Sequence, residues 1–312
     1  MTSGKTWVGH DPRKQARSGA EKLKRRKNIQ GPTENEDCRA ARIVFNNKEN
    51  DFMVNVLIDE LAWPEYRRRV AEERQPVLIP LGALEQHGPH MSMNPDVIIP
   101  TAISVAVAQK INALVAPPFA YGAKSQQKSG GGNHLCGTTS LDGHTLSLAL
   151  KDVLKEFGRH GVRRVAVMNG HYENMPFATE GIELAIQELK WSGIDDFHVL
   201  IISYWDFVTQ DTIKQVFPAD FTGWDVEHGG ILETSLMLHL KPELVDMSLA
   251  PVQPPAKFPP YSVFPPLPEW TPPSGCLSSP AAATAAKGKL LFDVTVDGIS
   301  AALSREPYFQ PG

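Results

Sequence analysis

Four short apolar runs restrict the fold of this chain more than any other feature: "PVLIPLGAL" (76–84), "ALVAPPF" (113–119), "RRVAVMNG" (163–170) and "FHVLIISYW" (197–205). None alternates apolar with polar residues, so each suits a strand covered on both faces, as strands are in parallel sheets. Parallel strands need long crossovers, and helical patterns fill the intervals at 97–112, 142–160, 174–191 and 230–240. Asp142 stands where the second of these needs an N-cap, and Gly161 stands at its stop. Strand and helix in alternation predict a three-layer α/β/α fold with a mostly parallel central sheet. The stretch "AAATAAKGKLLFDVTVDGISAALSRE" reads as a closing helix.

In such a sheet, ligands bind beyond the carboxyl ends of the strands. The polar clusters lie there: "EQHGPH" follows the first run, "NGHYEN" the third and "YWD" the fourth. Glu85 and His87 are separated by one residue, so on an extended strand end both project to the same side. His171 and Glu173 repeat that spacing at another strand end, and Asp96 completes a set of three carboxylates and two imidazoles. Oxygen and imidazole ligands without thiolate suit divalent ions such as Zn²⁺ or Mn²⁺. Taken singly, each of these residues is more often a surface ion pair or a satisfied histidine; the repeated spacing favours a shared centre. His90 and His134 are expected either in plain structural roles or behind the ligands, holding their orientation.

Two further segments carry polar groups. "KSGGGNHLCGTTS" (128–140) lacks the Gly-Lys-Ser/Thr spacing of a phosphate loop, but its glycines let backbone approach a ligand, and Ser129 is placed to bond a polar group. "GWDVEHGGILETS" (223–235) sets Trp224, Asp225, His228 and Glu233 in a loop that opens a helix. His228 suits a general acid or base because its ordinary pKa lies near neutrality. Trp224 and Trp205 suit the walls of a flat pocket, although a Trp is more often part of a core.

The net charge of −4 and the absence of an extended basic face in the body argue against nucleic acid as a partner. Cys38, Cys136 and Cys276 form no C-x-x-C pair, the usage of a reduced compartment. No run of about 18 apolar residues suggests a membrane span, so a cytoplasmic protein is expected. Residues 1–52 carry 12 Lys/Arg against 7 Asp/Glu, a balance of +5 that leaves −9 for residues 53–312. This basic extension has weak apolar periodicity and is expected to be disordered. Its "KLKRRK" cluster reads as a solvated tail, a nuclear address or part of an organelle transit peptide, and a start at Met53 is a further reading. Residues 53–312 are expected to form the catalytic domain. Within it, residues 251–273 hold ten prolines, interleaved with Phe258, Tyr261, Val263, Phe264 and Trp270. Such apolar content predicts an ordered arm packed on the body or on a neighbouring subunit.

Taken together, "GALEQHG", "MSMNPD", "KSQQKSGGGNH", "GTTSLDG", "MNGHYEN", "SYWDF" and "WDVEHGGILETSLML" resemble the creatininases, the creatinine amidohydrolases, from about Val54 to Ala302. The resemblance implies a three-layer α/β/α fold, a homohexamer and two divalent metal ions per subunit. One ion would be held by Glu85, Asp96 and His171, the other by His87, Asp96 and Glu173, with Asp96 bridging. It also implies substrate contacts from Ser129, Tyr172, Trp224 and Asp225, a gating role for Trp205, and His228 as the acid-base residue. Glu173 is expected as a further proton carrier, and Glu233 is expected to orient a ligand or His228. The activity implied is reversible opening of the cyclic amide of creatinine to creatine by a metal-bridging hydroxide, with His228 protonating the departing nitrogen. Pro89 and Cys136 depart from the family pattern, which has His and Pro there, and neither is an expected ligand. Rival readings are an amidohydrolase of the same superfamily acting on a formamide, a peptide or another lactam, and a catalytically silent metal-binding scaffold.

Overall fold

The structure, a computed structural model, describes residues 55–217, 221–307 and 309, all within the Asp51–Gly312 unit. The basic extension expected over residues 1–52 lies outside the described residues. Four strands, β1 (Val77–Leu81), β2 (Leu114–Val115), β3 (Arg164–Asn169) and β4 (His198–Ser203), pair in the order β2-β1-β3-β4. All the pairings are parallel, with Leu81 beside Asn169 and Asn169 beside Ser203. Each strand therefore delivers its carboxyl end to one edge of the sheet.

The helices are α1 (Trp63–Arg67), α2 (Pro95–Ile111), α3 (Gly143–His160), α4 (Asn174–Trp191), α5 (Gln210–Val216), α6 (Ile231–Leu240) and α7 (Ala285–Arg305). Successive strand residues face opposite layers, which is why the strands carry no polar alternation. Val77, Ile79 and Leu81 pack with Leu146, Leu150 and Leu154 of α3 and Ala178, Ile182 and Ala185 of α4. Leu78, Ala166 and Met168 pack with Ile99 and Ile103 of α2, Leu236 of α6 and Leu291 and Ile299 of α7. Full burial of each large aliphatic side chain contributes roughly 1.5–3 kcal/mol. The expected three-layer α/β/α architecture is the one observed.

The second apolar run pairs over only two residues because Pro117 and Pro118 have no N–H to continue the ladder. Pro80 is tolerated inside β1 for a related reason. Its carbonyl faces the side of β2, accepting from Phe119 N at 2.9 Å, where β2 has already ended. Asp142 does precede α3, but its carboxylate caps no backbone N–H and pairs with Lys124 instead. Gly161 ends α3 at φ 103°, in the left-handed region that glycine enters freely.

Two strand-end glycines position the first turn of α2. A Cβ on Gly82 would lie 2.5 Å from the Asp96 carbonyl oxygen, and one on Gly170 would lie 2.4 Å from the same atom. Bare backbone after β1 and β3 thus lets Asp96 settle between the two strand ends. Gly170→Ala is expected to cost about 1–3 kcal/mol of unfolding free energy in urea denaturation, through overpacking against the α2 backbone. An unchanged midpoint would mean that the turn yields freely.

The proline-rich segment runs beside the glycine-rich loop. Lys128 Nζ donates to Pro259 O at 3.0 Å, Leu267 N to Gln127 Oε1 at 3.3 Å, and Thr271 Oγ1 to Gly131 O at 2.6 Å. Val252, Tyr261 and Phe264 nonetheless remain 87%, 61% and 76% exposed. Among the described residues, no helix is long and apolar enough to cross a membrane.

Candidate metal centre

The loops after β1 and β3, the first turn of α2 and the entry to α6 enclose a cleft with about 380 Å³ of space between protein atoms, including the part open to solvent. It is lined by five carboxylates, Glu85, Asp96, Glu173, Glu227 and Glu233, and three imidazoles, His87, His171 and His228. No Lys or Arg stands among these lining residues, so the buried acids lack a permanent countercharge.

Two imidazoles turn one nitrogen outward to a carbonyl and the other inward to carboxylates. His87 Nδ1 lies 3.1 Å from Glu85 O, and His171 Nε2 lies 3.1 Å from Ala123 O. A carbonyl oxygen only accepts, so those nitrogens carry hydrogen and the opposite nitrogens present lone pairs. His87 Nε2 is 3.1 Å from Asp96 Oδ1 and 3.5 Å from Glu233 Oε1. His171 Nδ1 is 3.2 Å from both Glu85 Oε2 and Asp96 Oδ2. Asp96 therefore shows one oxygen to each ring. Lone pairs facing lone pairs at this range repel unless a proton or a cation lies between them. His87 Nε2, Asp96 Oδ2, Glu85 Oε1 and Glu173 Oε2 are all buried without a hydrogen-bond partner among the described residues. An oxygen-and-imidazole donor set with orphaned lone pairs fits divalent cations.

The proton affinities report the same field. Burial alone would pull His87 down, but Asp96 and Glu233 outweigh it and hold its pKa well above the ordinary value. Burial likewise opposes a charged His171, and Glu85 and Glu173 outweigh it. Burial pushes Glu85 up to about 7, although His171 offsets part of the effect. Asp96 is raised by burial and lowered further by His87 and His171, ending well below the usual carboxylate range. His228 goes the other way: burial, then the neighbouring His87, depress it well below its ordinary value.

Among the described residues, three groups of side chains bring ligand atoms within 4.8 Å of one another: Glu85, Asp96 and His171; His87, Asp96 and Glu233; and Glu85, His87 and His228. The first is the set that the family resemblance implies. The second has Glu233 beside His87 and Asp96, and the expected grouping of His87, Asp96 and Glu173 is not among the three. Spacing alone treats His171 and Glu173 as a strand-end pair, but Glu173 has αR backbone at the entry to α4, so the two side chains do not project side by side as on an extended strand. Its Oε2 lies 3.3 Å from His171 Nε2, the ring nitrogen turned away from Asp96, while its Oε1 accepts from Ser129 Oγ at 2.5 Å and Gln126 N at 2.8 Å. Glu233 reaches the centre because it occupies the first turn of α6, where its Oε2 also accepts from Gly229 N at 2.7 Å.

Trp205, Trp224, Tyr172 and Ser129 line the same cleft, with Tyr172 and Trp205 stacked at 6.2 Å between ring centroids. Asp225 is exposed and lies outside the lining. His90 is buried behind the centre, with Nε2 2.8 Å from Thr234 Oγ1, whereas His134 is exposed and away from it. Sequence reasoning missed Glu227, whose carboxylate bonds Leu232 N and Ser278 Oγ at 3.0 Å each and is pushed up to about 7 by burial. Its only signal was adjacency to His228 in "WDVEHGG".

Residues 59–303 match the family model for creatininase, creatinine amidohydrolase. The creatinine amidohydrolase of Pseudomonas putida is 54% identical over 253 residues, covering 81% of this chain and 97% of its own length. A mycofactocin precursor peptide peptidase of Mycobacterium ulcerans is 31% identical, covering 73% of this chain and 84% of its own. A crystal structure of creatininase superposes with a TM-score of 0.81 at 53% identity, over 83% of this chain and all of that one. Related structures at 53–54% identity are described as a manganese creatininase and a mutant creatininase complexed with creatine, each with a TM-score of 0.80 over 82% of this chain and 100% of that one. With the family model spanning most of its length and this fold beneath it, the chain belongs to the creatininase family.

Proposed function

We propose that this protein is a metal-dependent hydrolase that opens the cyclic amide of creatinine to give creatine, and that it also runs the reverse reaction. The observation that carries this reading is Asp96, buried, with its two oxygens 3.1 and 3.2 Å from different imidazoles whose lone pairs point inward. Glu85, Asp96 and His171 would hold one cation, and His87, Asp96 and Glu233 the second. Bound there, two zinc or manganese ions lower the pKa of water and polarise a carbonyl. The relatives that share the fold include manganese and Zn-Zn forms and one complexed with creatine.

The protein's own groups would bind the substrate and move protons. Trp205, Trp224 and Tyr172 flank a flat ring and exclude competing water, while Ser129 bonds its polar edge; Asp225, outside the lining, is left without a substrate contact. Water attacks the ring carbonyl carbon, the carbon–nitrogen bond of the ring breaks, and the nitrogen leaves with a proton. Glu173, with one oxygen held by Ser129 and Gln126 and the other unpartnered, takes the proton from the attacking water and delivers it to that nitrogen. His228 faces the same cleft, and what it can give depends on which ring nitrogen carries hydrogen. The exposed Val252, Tyr261 and Phe264 support a homo-oligomer, a hexamer in this reading, in which the arm meets a neighbouring subunit.

The test is incubation of metal-replete protein with creatinine, following creatine by chromatography, and the reverse. Conversion in one direction or both is expected. None in either would transfer the reading to another amide, with the peptide-cleaving relatives as the first substrates to try.

Chelation gives an independent check. In the metal-free protein, imidazoles with raised pKa stabilise the fold below their unfolded value near 6.5, and that contribution is lost as pH rises through their folded values. Glu85, raised to about 7, acts in the same direction. Cations replace those protons. The melting-temperature gap between loaded and chelated protein should therefore widen from pH 6 to pH 9, and a constant gap would contradict the assignment.

A further inference from the structure

Gln86 lies between Glu85 and His87 in the chain and is not among the residues lining the cleft. Its amide is nonetheless bound on every side. Oε1 accepts from Gly88 N at 3.0 Å, whereas Nε2 faces the carbonyl oxygens of Gly275 at 3.0 Å and Gly130 at 3.5 Å. These partners fix which end of the amide is nitrogen, since the opposite orientation would set oxygen against two carbonyls and N–H against N–H. The same Nε2 lies 3.0 Å from His228 Nε2.

An amide nitrogen only donates, so His228 Nε2 must accept. Its hydrogen then sits on Nδ1, the nitrogen nearer the carboxylates, 3.8 Å from Glu85 Oε2. This reverses the arrangement of the other two rings. His87 and His171 each give their outer N–H to a carbonyl and turn a lone pair inward. His228 has its outer nitrogen met by a donor and turns an N–H inward. The ring is held close against His87, with centroids 4.2 Å apart.

We infer that Gln86 is a positioning residue that fixes His228 in the Nδ1–H form, making His228 an inward hydrogen-bond donor to the substrate and excluding it from the metal ligands. The inference deepens the proposed reaction and rests on it for the substrate, but not for the placement of the hydrogen. Of the three side-chain groups able to approach a cation, the one built on Glu85, His87 and His228 is thereby removed, because its third member presents no lone pair. His228 is left to bond the carbonyl oxygen on which charge builds as water adds. It has no free lone pair with which to collect a proton, so net proton transfer falls to Glu173. The clamp also gives the residues just after the proline-rich segment a part in the site. Gly275, at φ 81°, brings its backbone onto the amide, and a Cβ there would lie 2.1 Å from Gln86 Oε1.

The test is neutron diffraction from deuterium-exchanged, zinc-loaded protein, together with kinetics of Gln86→Glu and Gln86→Met. In the unsubstituted protein, deuterium is expected on His228 Nδ1 and not on Nε2. In Gln86→Glu, a carboxylate accepts from Nε2 and the deuterium should move there. Both variants should retain two zinc ions per chain and a KM within a few-fold, while kcat falls by about 10²–10³, the usual effect of losing one fixed donor to a developing oxyanion. Deuterium on Nε2 of the unsubstituted protein overturns the inference even if neither variant folds, and so does a Gln86→Met enzyme with undiminished kcat. Because deuterium is located without substrate, failure to hydrolyse creatinine would defeat the proposed reaction and leave the tautomer standing. Hydrolysis with deuterium on Nε2 would do the opposite.

Discussion

Asp96→Asn is expected to strip the protein of most of both metal equivalents in one step and to lower creatinine turnover by about 10³-fold or more. The side chain keeps its volume but loses its charge, and one of its two oxygens becomes an NH₂ group. That group would donate to whichever imidazole it meets, His87 Nε2 or His171 Nδ1, and occupy the lone pair a cation needs. The remaining neutral oxygen is a poorer ligand for the other site. Loss of Lewis-acid assistance is worth several kcal/mol, and each ~1.4 kcal/mol is a factor of ten in rate. Metal content after dialysis, by elemental analysis, is the measurement. Glu233→Gln is the control: it should lose about one equivalent and spare the group of Glu85, Asp96 and His171. Two tightly held equivalents in Asp96→Asn would show that the carboxylate does not bridge.

Glu173→Gln is the second large effect, and it should separate chemistry from metal binding. The amide oxygen can still accept from Ser129 Oγ and Gln126 N, so the loop stays in place. Two metal equivalents and a KM within a few-fold are expected, with kcat down by about 10²–10⁴, the range for loss of a proton-transfer group. Elemental analysis beside steady-state kinetics decides the matter. Loss of one equivalent would return Glu173 to the role the family resemblance implies, as a ligand beside His87 and Asp96. Full activity would remove it from proton transfer.

These predictions turn on a distinction that the chain shows only in part. The strands and crossover helices are legible because apolar runs without polar alternation have no solution except burial on both faces, and α4 begins and ends where its periodicity does. Glu85, His87, Asp96 and His171 are legible as one cluster because their spacing repeats at two strand ends, and all four line the same cleft. The second apolar run reads longer than the strand it forms, since Pro117 and Pro118 look apolar but cannot donate to a ladder. Glu227 and Gln86 leave almost no trace. One caps the entry of α6 and the other orients an imidazole, tasks that many residues perform without chemistry nearby.

The sequence by itself determined the parallel α/β frame, the edge of the sheet where chemistry collects, and the kinds of atom available there. Only the tertiary structure shows which nitrogen of each histidine faces inward and which glutamate lies within reach of His87 and Asp96. The physical reason is range. Burial and periodicity act between neighbours along the chain, whereas a ring's hydrogen is assigned by Ala123 O, Glu85 O or Gln86 Nε2, and a ligand by where α6 enters the cleft, contacts that exist only after the loops have crossed.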